Sequence, residues 1–105
     1  DWIIAKDVLE HVSDIMGNID TLMDVARKGM FVVVPLSYMD GGRYVVNEYE
    51  SDVTHLHRWT LDKWISKFMR YGWSVEARYR VCGVKDNYAS WHKGNGFITL
   101  RRIEE

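Results

Sequence analysis

Met30-Phe31-Val32-Val33-Val34-Pro35 is the segment that most restricts how this chain can fold. It is apolar without alternation and rich in β-branched valine, so an extended strand here hides both of its faces. Such a strand lies inside a sheet, and Pro35 ends it because proline has no N–H to give to a ladder. A second short apolar run, Trp2 to Ala5, has the same character. Between them Ile15, Ile19, Leu22, Met23 and Ala26 recur at helical spacing, with Asp20 and Asp24 toward solvent. Ser13 or Asp14 is the predicted cap. Gly17 weakens the first turn and moves the expected helix start toward Asn18, while Gly29 is the expected left-handed stop. Strand, helix and strand with short joints predict a parallel βαβ unit.

Beyond Pro35 the pattern changes. Leu36 to Trp59 has no helical period, Gly41-Gly42 marks a turn, and Tyr44 to Val46 predicts a short extended piece. Thr60 is the predicted cap of a second helix that turns Leu61, Trp64, Ile65, Phe68 and Met69 inward and stops at Gly72. Trp73 to Val81 alternates apolar and polar residues, a strand with one wet face. After a polar and aromatic loop from Val84 to Asn95, Gly96 to Arg101 predicts a last strand, antiparallel to its predecessor. The expected fold is α/β, with a mixed sheet in the order β-α-β-loop-α-β-β.

Bulk properties exclude several classes. The 105 residues are at most one domain. A formal charge of -1, with both signs interspersed, gives no general attraction to nucleic acid or an anionic membrane. The longest apolar run, Met30 to Leu36, is far short of a membrane span. A single cysteine, Cys82, rules out an internal disulfide and a cysteine-built zinc site, which makes a reducing, cytoplasmic setting the expectation. Beside Gly83, Cys82 itself is expected as a small buried residue. Trp2, Trp64 and Trp73 fall where core or sheet-face positions are expected. Arg78, Arg80, Arg101 and Arg102, with Lys85, Trp91, His92 and Lys93 nearby, have the basic and aromatic character of single-strand nucleic-acid sites. The neutral overall charge favours a solvated strand face instead.

Three segments carry a resemblance: Asp7-Val8-Leu9-Glu10-His11-Val12, Arg27 to Pro35, and His55-Leu56-His57-Arg58-Trp59-Thr60. In this order, and followed by Tyr71-Gly72-Trp73-Ser74-Val75, they resemble the C-terminal half of the class I S-adenosylmethionine (SAM)-dependent methyltransferases, from the fourth strand onward. The resemblance implies the C-terminal half of a Rossmann-like methyltransferase domain. It also implies that Ala5, Lys6 and Asp7 border the adenosine and methionine side of a SAM pocket, partly through backbone, and that His11 lies near the pocket. Glu10 and His11 have a second possible role, fixing the turn. His55 and His57, two apart on an extended segment, should point in different directions. Either could serve as a catalytic general base toward a substrate hydroxyl, or both could tie the loop to the helix start. The loop from Ser37 to Trp59 is expected over the substrate, with Tyr38, Tyr44, Tyr49 and Trp59 shaping it.

The Gly-rich turn that holds SAM in this family, which follows an apolar strand, is not in this sequence; Gly94-Asn95-Gly96 precedes one. Residues 1–105 are therefore expected as a partial domain, inactive as an isolated monomer, that transfers a methyl group to an unidentified acceptor only within a larger protein. Trp2, Ile3 and Ile4 should then present an unpaired edge, residues such as Val32 or Val33 a wet face, and the chain should form a homo-oligomer. The competing class is a non-enzymatic assembly module. A further resemblance is to the small-RNA 2′-O-methyltransferases, which bind a divalent metal through a Glu-x-x-Glu-His turn and a later His. Asp7, Glu10, His11 and one of His55 or His57 would imitate that set, with donors suited to Mn, Fe or Co over Mg. Metal-free members carry the same turn, so the sequence alone assigns no metal ligand.

Overall fold

Side chains from two helices and one sheet face make the core, and the order of elements is the one expected. The computed structural model describes residues 2–51, 55–85, 87 and 90–103; parts of the two long loops, residues 52–54 and 86, 88 and 89, lie outside these. Strand β1 (Trp2–Lys6) leads through a 3₁₀ turn (Leu9–His11) to helix α1 (Ile15–Val25) and strand β2 (Gly29–Pro35). A second 3₁₀ turn (Asn47–Ser51) precedes helix α2 (Leu61–Phe68), strand β3 (Trp73–Arg78) and strand β4 (Asn95–Arg102). The sheet order is β1-β2-β4-β3. β1 and β2 are parallel, and β4 inserts between β2 and β3, antiparallel to both. Among the described residues no helix is long and apolar enough to cross a membrane.

Ile15, Ile19 and Met23 of α1 and Leu61, Trp64 and Phe68 of α2 close over Ala5, Met30, Val32, Val34, Ile98 and Leu100. Successive strand residues point to opposite faces, so Trp2, Ile4, Phe31, Val33 and Phe97 lie on the side away from this core. The expectation of a wet Val32 or Val33 is wrong, since both are fully buried. Val32 lies beneath the helices, and Val33 pairs in register with Phe97, whose ring stacks on Phe31 at 6.5 Å. The apolar exposure on the far face is at β1 instead, where Ile4 is 73% and Trp2 42% exposed. The outer edge of β1 has no strand neighbour among the described residues.

Local chemistry moves several boundaries. Helix α1 starts at Ile15, not near Asn18, because the Asp14 carboxylate accepts from the Gly17 N–H at 3.3 Å. Any side chain at position 17 would run into that carboxylate, so the glycine serves the cap. Gly29 is not a left-handed stop: α1 ends through an extended Ala26, and Gly29 is already in β2. A Cβ there would collide with the Leu100 carbonyl oxygen and the Trp2 ring. Gly29→Ala is therefore expected to cost about 1–3 kcal/mol, read from urea unfolding. Helix α2, capped by Thr60, ends at Phe68, which leaves Met69 64% exposed rather than in the buried stripe. Strand β3 alternates as expected but stops at Arg78, short of Val81. Cys82 is exposed, not buried, because the chain reverses through Gly83 at φ 84° within the Val81–Lys85 bridge.

Arg78, Arg101 and Arg102 each have separate partners. Arg102 donates to the carbonyls of Met23 and Ala26 at 2.8 Å each and so satisfies the end of α1. Arg101 lies over the Trp2 ring, and Arg78 pairs with Glu76 on its own strand.

Candidate metal centre

The chain leaves β1 in a conformation that few residues tolerate. Asp7 has φ 55°, the left-handed region that short polar side chains visit most readily after glycine. Its N–H still donates to the Val33 carbonyl at 3.0 Å, which holds the turn against β2. The 3₁₀ turn follows, with Leu9 fully buried as its plug and Glu10 only 1% exposed beside it. Burying a carboxylate is costly unless something compensates it.

The segment ahead of α2 closes on this turn. The Glu10 carbonyl accepts the N–H groups of Leu56 (2.7 Å) and His57 (3.3 Å), and the His57 Nε2 contacts the Val12 carbonyl. His57 packs on Trp59 and edge-on to Trp64, with centroids 4.7 Å and 6.2 Å away, and so faces the helix start. His55 faces the other way. Its ring lies 4.5 Å from that of His11, with Tyr44 and Tyr49 edge-on at 5.3 Å and 5.5 Å. The two histidines diverge, as an extended segment requires.

Loop order depends on Tyr44. This residue is fully buried, its hydroxyl donates to the His57 carbonyl at 2.7 Å, and its N–H donates to the Glu50 carboxylate. Arg58 pairs with Glu50 at 2.7 Å and lies 5.0 Å above the Tyr44 ring. The Tyr44 N–H, and then Arg58, hold the Glu50 carboxyl below the usual carboxylate range.

Ligand atoms of Glu10, His11 and His55 thus lie within 4.8 Å of one another. The His11 Nε2 is 3.7 Å from Glu10 Oε2, and Glu10 Oε1 is buried with no hydrogen-bond partner among the described residues. Burial is the main reason that Glu10 titrates above the usual carboxylate range; a hydrogen bond from its own N–H opposes this, and the Asp7 charge adds to it. Two ligands on one ion with bonds of about 2 Å stand roughly 3 Å apart. Small rotations of side chains already in place would bring these three to that spacing, and an ion would satisfy the orphaned oxygen. The residues therefore fit a divalent metal.

A cavity of about 380 Å³ opens onto the cluster, with Asp7, Tyr49 and Lys85 completing its wall. Lys85 pairs with Asp7 at 2.7 Å and stands 5.0 Å over the Tyr49 ring. Burial lowers the Lys85 pKa, but hydrogen bonds to Asp7 and Tyr49 and the Asp7 charge more than offset this, so its pKa is raised overall. A larger cavity, about 550 Å³, lies between Tyr38, Val45, Tyr79 and Trp91. Among the described residues it contains no such cluster of carboxylate and imidazole donors.

Of the residues that sequence pointed to, Asp7, His11 and His55 share the smaller cavity, with Glu10. His57 and the Ala5 side chain do not reach it, because Ala5 faces the helices in the core. Lys6 is exposed on the opposite face of β1. Tyr49 lines the site and Trp59 packs at a tilt against Trp64, with centroids 4.6 Å apart, whereas Tyr38 belongs to the larger cavity. Lys85 is the residue that sequence reasoning placed elsewhere. It stands 78 positions from its partner Asp7, and no local spacing links them.

No family model matches this chain, and no curated protein matches it. Among solved structures it is similar to one described as the crystal structure of small RNA methyltransferase HEN1, with a TM-score of 0.68 and 17% identity. The match covers 100% of this chain and 14% of that one. At this identity the likeness is one of fold: a small α/β unit with a mixed four-stranded sheet, of the kind found in a methyltransferase.

Proposed function

We propose that this chain is the metal-bearing part of a SAM-dependent methyltransferase, with a divalent cation held by Glu10, His11 and His55. The observation that carries the reading is the convergence of these three donors, from segments far apart in sequence, around a buried carboxylate oxygen that has no hydrogen-bond partner among the described residues. The likeness in fold to a small RNA methyltransferase supports it and makes an RNA hydroxyl the preferred acceptor class. When bound, SAM supplies an already activated methyl group, and a divalent cation supplies a Lewis acid that draws the acceptor oxygen into line.

The chain's own residues have simpler tasks. Glu10 brings the negative charge, and His11 and His55 bring neutral nitrogen donors. Tyr44 and Tyr49 brace the His55 ring, and His57 fastens the loop to the turn. The main chain of Ala5, Lys6 and Asp7 can border a bound SAM but cannot hold it, since this sequence lacks the Gly-rich turn that would cradle it.

Calorimetric titration tests the reading. Mn²⁺ is expected to bind with a stoichiometry near one, while SAM gives no heat with this chain alone. Silence under excess Mn²⁺ would remove the metal centre and leave only the likeness in fold to a methyltransferase. The open edge and the exposed Trp2 and Ile4 of β1 also lead us to expect self-association. A monodisperse monomer at micromolar concentration in light scattering would refute that expectation.

A further inference from the structure

Among the described residues that wall the Glu10–His11–His55 cavity, Lys85 supplies the only ammonium, and it is spent on Asp7. We infer that Lys85 is a tethered counter-cation that keeps the Asp7 carboxylate off the metal, so that the centre has three protein ligands and open positions for oxygen ligands. This inference rests on the metal reading above and adds a residue that sets the affinity and openness of that site.

Asp7 is close enough to the cluster to matter. It is three residues before Glu10 and lines the same cavity. Yet it is not among the groups whose ligand atoms converge within 4.8 Å; its Oδ1 lies 2.7 Å from Lys85 Nζ. The left-handed turn at φ 55° and the Asp7 N–H bond to Val33 fix where its carboxylate starts.

Lys85 is just as firmly placed. The bridge from Val81 to Lys85 around Gly83 sets its backbone, and its side chain is only 16% exposed. The Tyr49 ring beneath it meets His55 edge-on, so ammonium, ring and imidazole are in successive contact. With Asp7 and Lys85 cancelling, Glu10 alone supplies the cavity's net negative charge. An ammonium and a divalent cation in so small a cavity repel each other, and the pairing with Asp7 limits that repulsion. Removing the ammonium would both lift the repulsion and free a fourth ligand.

The test is Mn²⁺ titration of the whole chain by calorimetry, with water-proton relaxation to count open positions on the ion. Lys85→Gln is expected to tighten Mn²⁺ binding about tenfold or more and to reduce the water relaxivity of the bound ion, as Asp7 displaces water. In the double variant D7N/K85Q most of that gain should disappear. Asp7→Asn alone should weaken binding only a few-fold, whereas Glu10→Gln should abolish it. Lys85→Met replaces Lys85→Gln if the latter fails to fold. Unchanged affinity in the Lys85 variants overturns the inference, as does a gain that survives in D7N/K85Q or a loss in Asp7→Asn as large as that in Glu10→Gln. If wild type binds no Mn²⁺, the metal centre itself is refuted and this inference with it.

Discussion

Glu10→Gln is expected to abolish saturable Mn²⁺ binding and, in the same protein, to raise the melting temperature measured without metal. Loss of the only carboxylate among the three convergent donors should exceed the roughly 10–100-fold that even an outer partner of a ligand contributes. The opposite sign in stability comes from burial. Glu10 is 1% exposed and its carboxyl titrates above the ordinary carboxylate range, so the folded chain holds this proton to higher pH than the unfolded chain does. Between the ordinary carboxylate pKa and the raised one the native state binds more protons, and stability falls as pH rises through that window. Below the window there is no penalty; above it the full penalty is present. Thermal melts of metal-free wild type should show that loss, and Glu10→Gln should not. Adding Mn²⁺ should restore the wild type, by about 2.7 kcal/mol at a hundred times the dissociation constant, and leave the variant unmoved. Equal melting temperatures for the two metal-free proteins above the window would contradict the account.

Trp64→Ala should be the most damaging single change to the fold, costing about 3–5 kcal/mol. Trp64 is the largest fully buried side chain; it sits on α2 among core residues and against Trp59 at 4.6 Å. That cost is a large part of the ~5–15 kcal/mol margin of an ordinary domain. Trp64→Phe separates volume from polarity. The indole Nε1 is buried without a hydrogen-bond partner among the described residues, so phenylalanine gives up no bond and leaves a smaller cavity. Urea unfolding should therefore place it much nearer to wild type. The alanine variant should also weaken Mn²⁺ binding, because Trp64 and Trp59 back the His57 ring that ties the loop to Val12. If the alanine variant were as stable as the phenylalanine one, the core would not depend on this ring.

Much of this is legible in the sequence, for physical reasons that differ from element to element. Met30 to Pro35 announced a central strand because nothing polar interrupts it, and it pairs on both sides. The stripe on α2 was as clear, apart from Met69, where the helix had already ended. Caps were harder. Gly17 read as a weakness, yet it exists to make room for the Asp14 carboxylate, a fact about a neighbour's geometry and not about propensity. Gly29 misled in the same way, since its constraint is a Leu100 carbonyl that is remote in sequence. At the site, the turn from Asp7 to His11 and the His55 segment were visible as motifs, but which histidine faces the cavity was not. That choice depends on Tyr44, Tyr49 and the helix start together. Lys85 lay beyond reach, because its role depends on the loop after β3 folding back over the end of β1.

The double acceptance at the Glu10 carbonyl has a kinetic consequence. The residue that carries the carboxylate also clasps the loop ahead of α2, and the His57–Val12 contact beside it spans 45 residues. Closing so long a segment is slow compared with forming either helix, so we expect these contacts to form on the native side of the folding barrier. An ion gripped only once the clasp has closed would leave the folding rate almost untouched and retard unfolding by nearly its whole binding energy. Stopped-flow chevrons with and without Mn²⁺ should then share one refolding arm and part on the other.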